Sequence, residues 1–114
     1  LVKARGLAKA EKKADRETKE GFIGSYVHTT GKIGVLVELL CETDFVGRNE
    51  EFQNLARQIA MHVSVSEAKS VEELLKEESI RDASVTIGDM VKQLSGKIGE
   101  KLVLNRFVRY QVGK

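Results

Sequence analysis

The residues of this chain that could perform covalent chemistry are few, and the candidates are one cysteine and two histidines. Cys41, His28 and His62 could in principle form a thiol site, in which an imidazole activates the sulfur. Their spacing matches no nucleophile or metal-binding motif. Cys41 lies in an apolar, strand-like run, where a free cysteine behaves as a small hydrophobe. The pattern therefore favours burial of Cys41, and a thiol enzyme centred on it stays an alternative.

Motifs for phosphate or metal chemistry are absent from the sequence. Neither G-x-G-x-x-G nor G-x-x-x-x-G-K-[ST] occurs in it. Adjacent acidic pairs such as Glu50-Glu51 diverge around a helix, so they indicate solvated faces. His62 borders the apolar side of a helical pattern, which favours a packing role. We therefore predict a protein without catalytic residues, metal or cofactor, which is not an enzyme.

The segment Thr43-Asp44-Phe45-Val46 is unusual because it places a large aromatic residue between a strand pattern and a helix pattern. Thr43 and Asp44 are suited to capping a helix. Phe45 either fills its own core or protrudes from the surface. Spacing alone favours the core, because aromatic side chains bury a large apolar area.

Length and composition indicate one domain with a modest core. The chain has 114 residues, of which 41% are apolar and 32% charged, as in globular proteins. No apolar run approaches the roughly 18 residues of a membrane span, and no signal peptide pattern is visible. A lone cysteine favours a reducing compartment. Because residue 1 is Leu, we expect a fragment or a processed product.

Two strands and a hairpin are predicted after the N-terminal segment. Residues 22–29 and 32–42 have strand patterns, and Thr30-Gly31-Lys32 between them is a hairpin signal. One face of the second strand is apolar and is assigned to the core: Ile33, Val35, Val37, Leu39 and Cys41. The other face is half apolar. We expect the N-terminal helix or another subunit to cover part of it.

Helical patterns occupy most of the remaining chain. A helix over 3–19 is predicted to end at Gly21. Three more are predicted over 49–65, 71–78 and 86–98, with Asn49, Ser70 and Thr86 at their starts and Gly99 after the last. Residues 101–112 predict a third strand. The fold class is therefore α+β: a three-stranded antiparallel sheet with helices packed on one face. An N-terminal linker helix (1–20) precedes a single core domain (21–114).

Several motifs resemble those of the elongation factor Ts family. Residues 41–52 read C-E-T-D-F-V-G-R-N-E-E-F and resemble the family signature C-E-T-D-F-V-x-R-N-x-x-F. Further resemblances are the L-A…A-M-H helix (55–62), the G-x-Y-x-H strand (24–28), the K-I-G-E…R-F close (97–107) and the linker helix (12–21).

Three departures from the family pattern stand out. Lys101 replaces the usual asparagine. The segment 64–84 is short where relatives often carry a helical insertion. The N-terminal ubiquitin-associated-like module is missing, so weaker partner binding is expected.

The resemblance implies a guanine-nucleotide exchange factor for elongation factor Tu in translation elongation. Phe45 would wedge between helices near the magnesium and nucleotide site of the GTPase domain, guided by Asp44, which reverses the expectation from spacing. The implied partner-binding residues are Thr43, Asp44, Phe45 and Val46, a second GTPase-domain contact at Ile98 and Gly99, and a contact with another domain through Ser25, Tyr26 and His28.

The resemblance also bears on assembly. Some family members carry two core repeats and others pair single cores, so one repeat here implies a homodimer. We expect neither membrane binding nor direct binding of nucleic acid. The alternative function is a ribosome- or RNA-associated module without exchange activity, in which the basic N-terminal helix makes the contact.

Overall fold

A computed structural model describes residues 16–114 of the chain. Three strands and four helices follow one another in this part: β1 Glu20–Val27, β2 Ile33–Cys41, α1 Asp44–Gly47, α2 Glu50–Val63, α3 Val71–Lys76, α4 Ile87–Ile98 and β3 Val103–Gln111. The strands form one antiparallel sheet in the order β1-β2-β3. The predicted α+β class with a three-stranded antiparallel sheet is confirmed.

The hairpin between β1 and β2 closes where the sequence predicts it. His28 N donates to Ile33 O at 2.9 Å, and Gly31 takes a positive φ of 72°, a conformation that glycine adopts without a steric penalty. The pairing of β2 with β3 shifts register between Glu38 and Leu39. This irregularity marks a β-bulge.

The core lies between the sheet and the helices. On β2, Val35, Val37, Leu39 and Cys41 are at most 3% exposed, as their alternation predicts. The apolar stripe of α2 packs against them, with Phe52 and Ile59 fully buried. The helices therefore cover one face of the sheet and leave the other face open, as far as residues 16–114 are concerned.

The helix ends follow their capping residues. Asn49 Oδ1 accepts from Phe52 N at 3.1 Å, and Thr86 and Asp89 form a complete capping box. At the start of α3, Ser70 Oγ accepts from Glu73 N, but the Glu73 carboxylate accepts from Lys69 N instead of closing the box. Gly99 ends α4 in the left-handed conformation, with φ 84°.

The expectation of a linker helix over 1–20 falls mostly outside the described residues. Residues 16–19 are not helical, and Glu20 already belongs to β1. Gly21 is therefore not a helix terminator, and that prediction was wrong. A Cβ at Gly21 would collide with the Leu39 carbonyl oxygen, so glycine is needed there for close strand pairing.

Candidate protein-binding site

The break between β2 and α2 contains one short helical turn, α1, which presents an exposed aromatic ring. Thr43 caps the turn, and its Oγ1 accepts from Val46 N at 3.3 Å. Val46 is 4% exposed and joins the core, whereas Phe45 is 84% exposed. The expectation from spacing that Phe45 is a core residue is therefore wrong. Val46 takes the inward position and turns its neighbour outward.

Asp44 lies beside the exposed ring and is paired on the surface. Its Oδ2 lies 2.8 Å from Arg48 Nε, and both side chains are more than half exposed. An exposed ion pair of this kind contributes less than about 1 kcal/mol to stability. The carboxylate of Asp44 therefore remains accessible to a binding partner.

Ile98 and Gly99 lie at the C-terminal end of α4, close to α1. Ile98 packs partly against the core, and Gly99 is exposed. The residue that follows them, Glu100, hydrogen-bonds to the backbone of Thr43, the N-cap of α1. The fold thus brings the Phe45 turn and the Ile98-Gly99 turn together, although they are far apart in sequence.

Ser25, Tyr26 and His28 lie toward the opposite end of the hairpin. Tyr26 pairs with Val35, and from Val35 to Cys41 the strand covers about 20 Å at about 3.4 Å per residue. Tyr26 lies on the helix-covered face, and its hydroxyl is 3.1 Å from His28 Nδ1. Ser25 lies on the other face. Ser25 and Tyr26 therefore lie on opposite faces of the edge strand β1, and all three residues lie at the end of the hairpin remote from Phe45.

Comparison with known proteins identifies the family to which the chain belongs. A model described as elongation factor TS matches residues 42–114. The chain is 38% identical to the elongation factor Ts of Fervidobacterium nodosum over 159 residues, with 100% of this chain and 81% of that protein covered. The chain belongs to the elongation factor Ts family. Elongation factors Ts of a Synechococcus species (36% identity, 99% and 73% covered) and of Oleidesulfovibrio alaskensis (35%, 98% and 79%) are also similar.

Membership of the elongation factor Ts family makes this chain a translation elongation factor by descent. The alignment with the F. nodosum protein spans 159 residues against 114 in this chain. That relative therefore carries residues with no counterpart here.

The three residues considered for thiol chemistry have separate partners in this elongation factor Ts fold. Cys41 Sγ donates to Thr43 O at 3.2 Å, His28 contacts Tyr26, and His62 Nε2 lies 2.8 Å from Glu77 Oε1. Burial raises the pKa of the Cys41 thiol to about 11, and the nearby Glu100 carboxylate adds to this. A thiol with so high a pKa is a poor nucleophile at neutral pH.

Two negative findings hold for residues 16–114 of this elongation factor Ts chain. No group of three His, Cys, Asp or Glu side chains there is arranged to hold a metal ion. None of the helices in that range combines the length and apolar character needed to cross a bilayer.

Sequence reasoning did not identify Glu42, Glu100 and Arg16 as neighbours of the Phe45 turn and the Ile98-Gly99 turn. The Glu100 carboxylate accepts hydrogen bonds from Glu42 N and Thr43 Oγ1, and the Arg16 guanidinium donates a hydrogen bond to Gly99 O. Glu42 and Glu100 lie within the family motifs, but a hydrogen bond between distant segments produces no periodic pattern. The motifs alone could not reveal that the two glutamates meet.

Proposed function

We propose that this chain is a guanine-nucleotide exchange factor for elongation factor Tu, which acts by inserting Asp44 and Phe45 into the GTPase domain. The observation that carries the proposal is the 84% exposure of the Phe45 side chain on a turn anchored by the buried Val46. A large aromatic residue in that position adds nothing to its own core. It is the type of residue that dominates binding energy when a partner buries it.

The mechanism is thermodynamic linkage between two ligands of the GTPase. A factor that binds the empty GTPase better than the nucleotide-bound form must weaken nucleotide binding by the same ratio. Insertion of the Phe45 ring would shift packed helices of the GTPase near its magnesium ion. Mg²⁺ requires near-ideal octahedral geometry, so a small displacement weakens the hold on nucleotide. No covalent step is involved, and the factor needs no acid, base or metal.

The other contacts divide into two groups in this proposal. Ile98 and Gly99 touch the same GTPase domain as Phe45, since their turn lies beside α1. Ser25, Tyr26 and His28 touch another domain, because they lie at the other end of the hairpin, where Tyr26 pairs with Val35, about 20 Å along the strand from Cys41. Val46 contributes as the buried anchor of the turn. Thr43 contributes as its cap.

We also propose that the chain acts as a homodimer through the open face of its sheet. Four apolar side chains on this face are half exposed or more: Ile23, Val27, Leu36 and Tyr110. Pairing two such faces would remove this area from water. The Phe45 end of one copy and the Tyr26 end of the other could then contact one GTPase. Such a factor would work in a bacterial cytoplasm or an organelle matrix.

The exchange proposal is tested by the release of fluorescent GDP from elongation factor Tu. The wild-type chain should accelerate release, and Phe45→Ala should remove most of the acceleration. Val65→Ala is the matched control, because Val65 is also an exposed apolar residue, at 66%. Equal acceleration by wild-type chain and Phe45→Ala would refute the wedge role of Phe45. No acceleration by the wild-type chain would refute exchange activity.

The dimer is tested by light scattering coupled to size exclusion. Leu36→Glu places a charge in the middle of the open face and should give a monomer. Ile80→Glu is the control, since Ile80 is equally exposed, at 50%, but lies in a loop outside the sheet. A wild-type chain that elutes as a monomer at micromolar concentration would contradict the proposal.

A further inference from the structure

Two glutamates tie the segment that precedes α1 to the segment that follows α4. The Glu100 carboxylate accepts from Glu42 N at 3.0 Å, from Thr43 N at 3.2 Å and from Thr43 Oγ1 at 2.7 Å. In return, Glu42 Oε2 accepts from Lys101 N. Each carboxylate thus binds the backbone of the other segment. We call the residues Glu42, Thr43, Glu100 and Lys101 the carboxylate bracket.

Arg16 adds a third connection to this bracket. Its Nη1 donates to Glu42 Oε2 at 3.3 Å and to Gly99 O at 3.1 Å. The guanidinium therefore lies between a carboxylate and the C-terminal carbonyl groups of α4, where the helix dipole favours a positive charge. Hydrogen bonds to charged groups are stronger than neutral ones. Most hydrogen bonds of the bracket are therefore of this stronger, charge-assisted type.

The bracket is continuous with the turn that presents Phe45. The Thr43 hydroxyl donates to Glu100 and, as the N-cap of α1, accepts from Val46 N. The exposed Phe45 ring cannot fix the direction of the turn by packing. The buried Val46 side chain and the hydrogen bond from Gln53 Nε2 to Gly47 O at 3.1 Å hold α1 to the core and to α2. The bracket is the contact that ties the start of α1 to the residues after Ile98 and Gly99.

We propose that Glu42 and Glu100 are positioning residues that hold Phe45 in a fixed relation to Ile98 and Gly99. The GTPase then meets two contacts that are already arranged, so less ordering is required when the complex forms. Neither glutamate needs to touch the partner. This inference rests on the proposed exchange function and deepens it.

Amide hydrogen exchange on the free chain tests the bracket without any partner. Glu100→Ala should accelerate exchange at Thr43 and Val46 by about tenfold or more, because the bracket holds the turn closed. The amides of Val37 and Leu39 in the sheet should keep their protection. Unchanged protection at Thr43 and Val46 would overturn the proposal.

Two further variants test whether the loss of amide protection comes from opening the bracket or from removing any carboxylate. Glu100→Gln should retain most of the protection, because the amide oxygen still accepts from the two backbone donors. Glu73→Ala is the control, since Glu73 also accepts from a backbone N–H, that of Lys69 at 2.8 Å. It should leave Thr43 and Val46 unaffected. Should Glu100→Ala fail to fold, Glu42→Ala opens the bracket from the other side, and the loss of protection is then expected at Lys101, whose amide donates to Glu42 Oε2.

GDP release from elongation factor Tu then tests the functional role. When the exchange factor is present in limiting amount, Glu100→Ala should lower the rate of GDP release about tenfold, equivalent to about 1.4 kcal/mol. In a chain that already carries Phe45→Ala, adding Glu100→Ala should lower the GDP release rate less than about twofold, because Glu100 acts through Phe45. Equal effects in both backgrounds would indicate a merely structural residue and overturn the proposal.

The two proposals fail in distinguishable ways. If Phe45→Ala accelerates GDP release from elongation factor Tu as much as the wild-type chain does, the exchange mechanism fails, whatever the effect of Glu100→Ala. If Phe45→Ala is inactive while Glu100→Ala has wild-type activity, the mechanism stands and the positioning role is refuted.

Discussion

Phe45 and Phe52 lie on either side of Asn49, the N-cap of α2, and have opposite surroundings. Phe52 is fully buried beneath the sheet, whereas Phe45 is 84% exposed. The same residue type therefore serves the core on one side of a helix start and the surface on the other. Val46 decides the difference, because its burial directs the preceding side chain outward.

The first prediction compares truncation of these two phenylalanines. Phe52→Ala should lower the free energy of unfolding by about 3–5 kcal/mol, since it removes a buried ring and leaves a cavity. Phe45→Ala should change it by less than about 0.5 kcal/mol. Urea unfolding followed by circular dichroism measures both. A large loss of stability in Phe45→Ala would show that Phe45 contributes to the core.

The second prediction concerns the close contact between β1 and α2. A Cβ at Gly24 would lie 2.5 Å from Ala56 O and 2.9 Å from Ala56 Cβ. Because backbone atoms cannot move aside as a flexible side chain does, Gly24→Ala should destabilise the fold by about 1–3 kcal/mol.

Gly34→Ala is the matched control for Gly24→Ala. Gly34 also lies in a strand, but a Cβ there meets nothing within 4 Å. Its effect on the midpoint of thermal unfolding should be small. Similar losses in both variants would show that strand glycines matter here for a reason other than the Ala56 contact.

The third prediction concerns a partly buried polar cluster that joins α2 to the residue after α3. Glu77 Oε1 lies 2.8 Å from His62 Nε2 and accepts from Ser66 Oγ at 2.6 Å. Within the described part of the chain, the other ring nitrogen of His62, Nδ1, is buried without a hydrogen-bond partner. The Glu77 contact is therefore the hydrogen bond that satisfies this ring.

Glu77→Ala should lower the free energy of unfolding by about 1–3 kcal/mol, because it leaves a buried imidazole N–H without an acceptor. The neighbouring exposed Glu78 provides the control, and Glu78→Ala should cost less than about 0.5 kcal/mol. Equal stability of the two variants would contradict a structural role for the cluster.

The fourth prediction concerns the reactivity of Cys41 and its dependence on pH. Burial raises the pKa of this thiol from 9.0 to about 11. A folded-state pKa above the unfolded value means that the stabilisation is complete below pH 9 and is lost as pH rises through about 11. Native protein should therefore lose stability between these values, and Cys41→Ala should reduce that loss.

At pH 8 a disulfide reagent should label Cys41 in native protein about 100-fold more slowly than in denaturant, or slower still. An Ile80→Cys variant supplies an exposed thiol on the same fold as a positive control. Rapid labelling of Cys41 in the wild-type chain would revive the alternative of a reactive thiol.

The alternation and helical spacing in the sequence were sufficient to predict the sheet and the main helices. Val35, Val37 and Leu39 alternate on a face that is buried, and Phe52 and Ile59 recur on the buried side of α2. These patterns report local geometry, which the core then uses directly.

The errors of prediction have a common physical cause. The role of Gly21 depends on the Leu39 carbonyl across the hairpin, and the direction of Phe45 depends on which neighbour reaches the core. The contact between Glu42 and Glu100 joins segments far apart in the chain. Such long-range relations exist only after the sheet has formed, so propensity and spacing could not reveal them.

The glycine at position 24 has a mechanical consequence. Because Gly24 has no side chain, β1 can lie close to the carbonyl group and Cβ of Ala56 in α2, and this contact contains no side chain that could change its rotamer. We therefore expect β1 and α2 to move together as one rigid unit, and the first turn of α2 directly follows the loop that carries Phe45. Two surfaces at opposite ends of a small domain can in this way behave as parts of one stiff body.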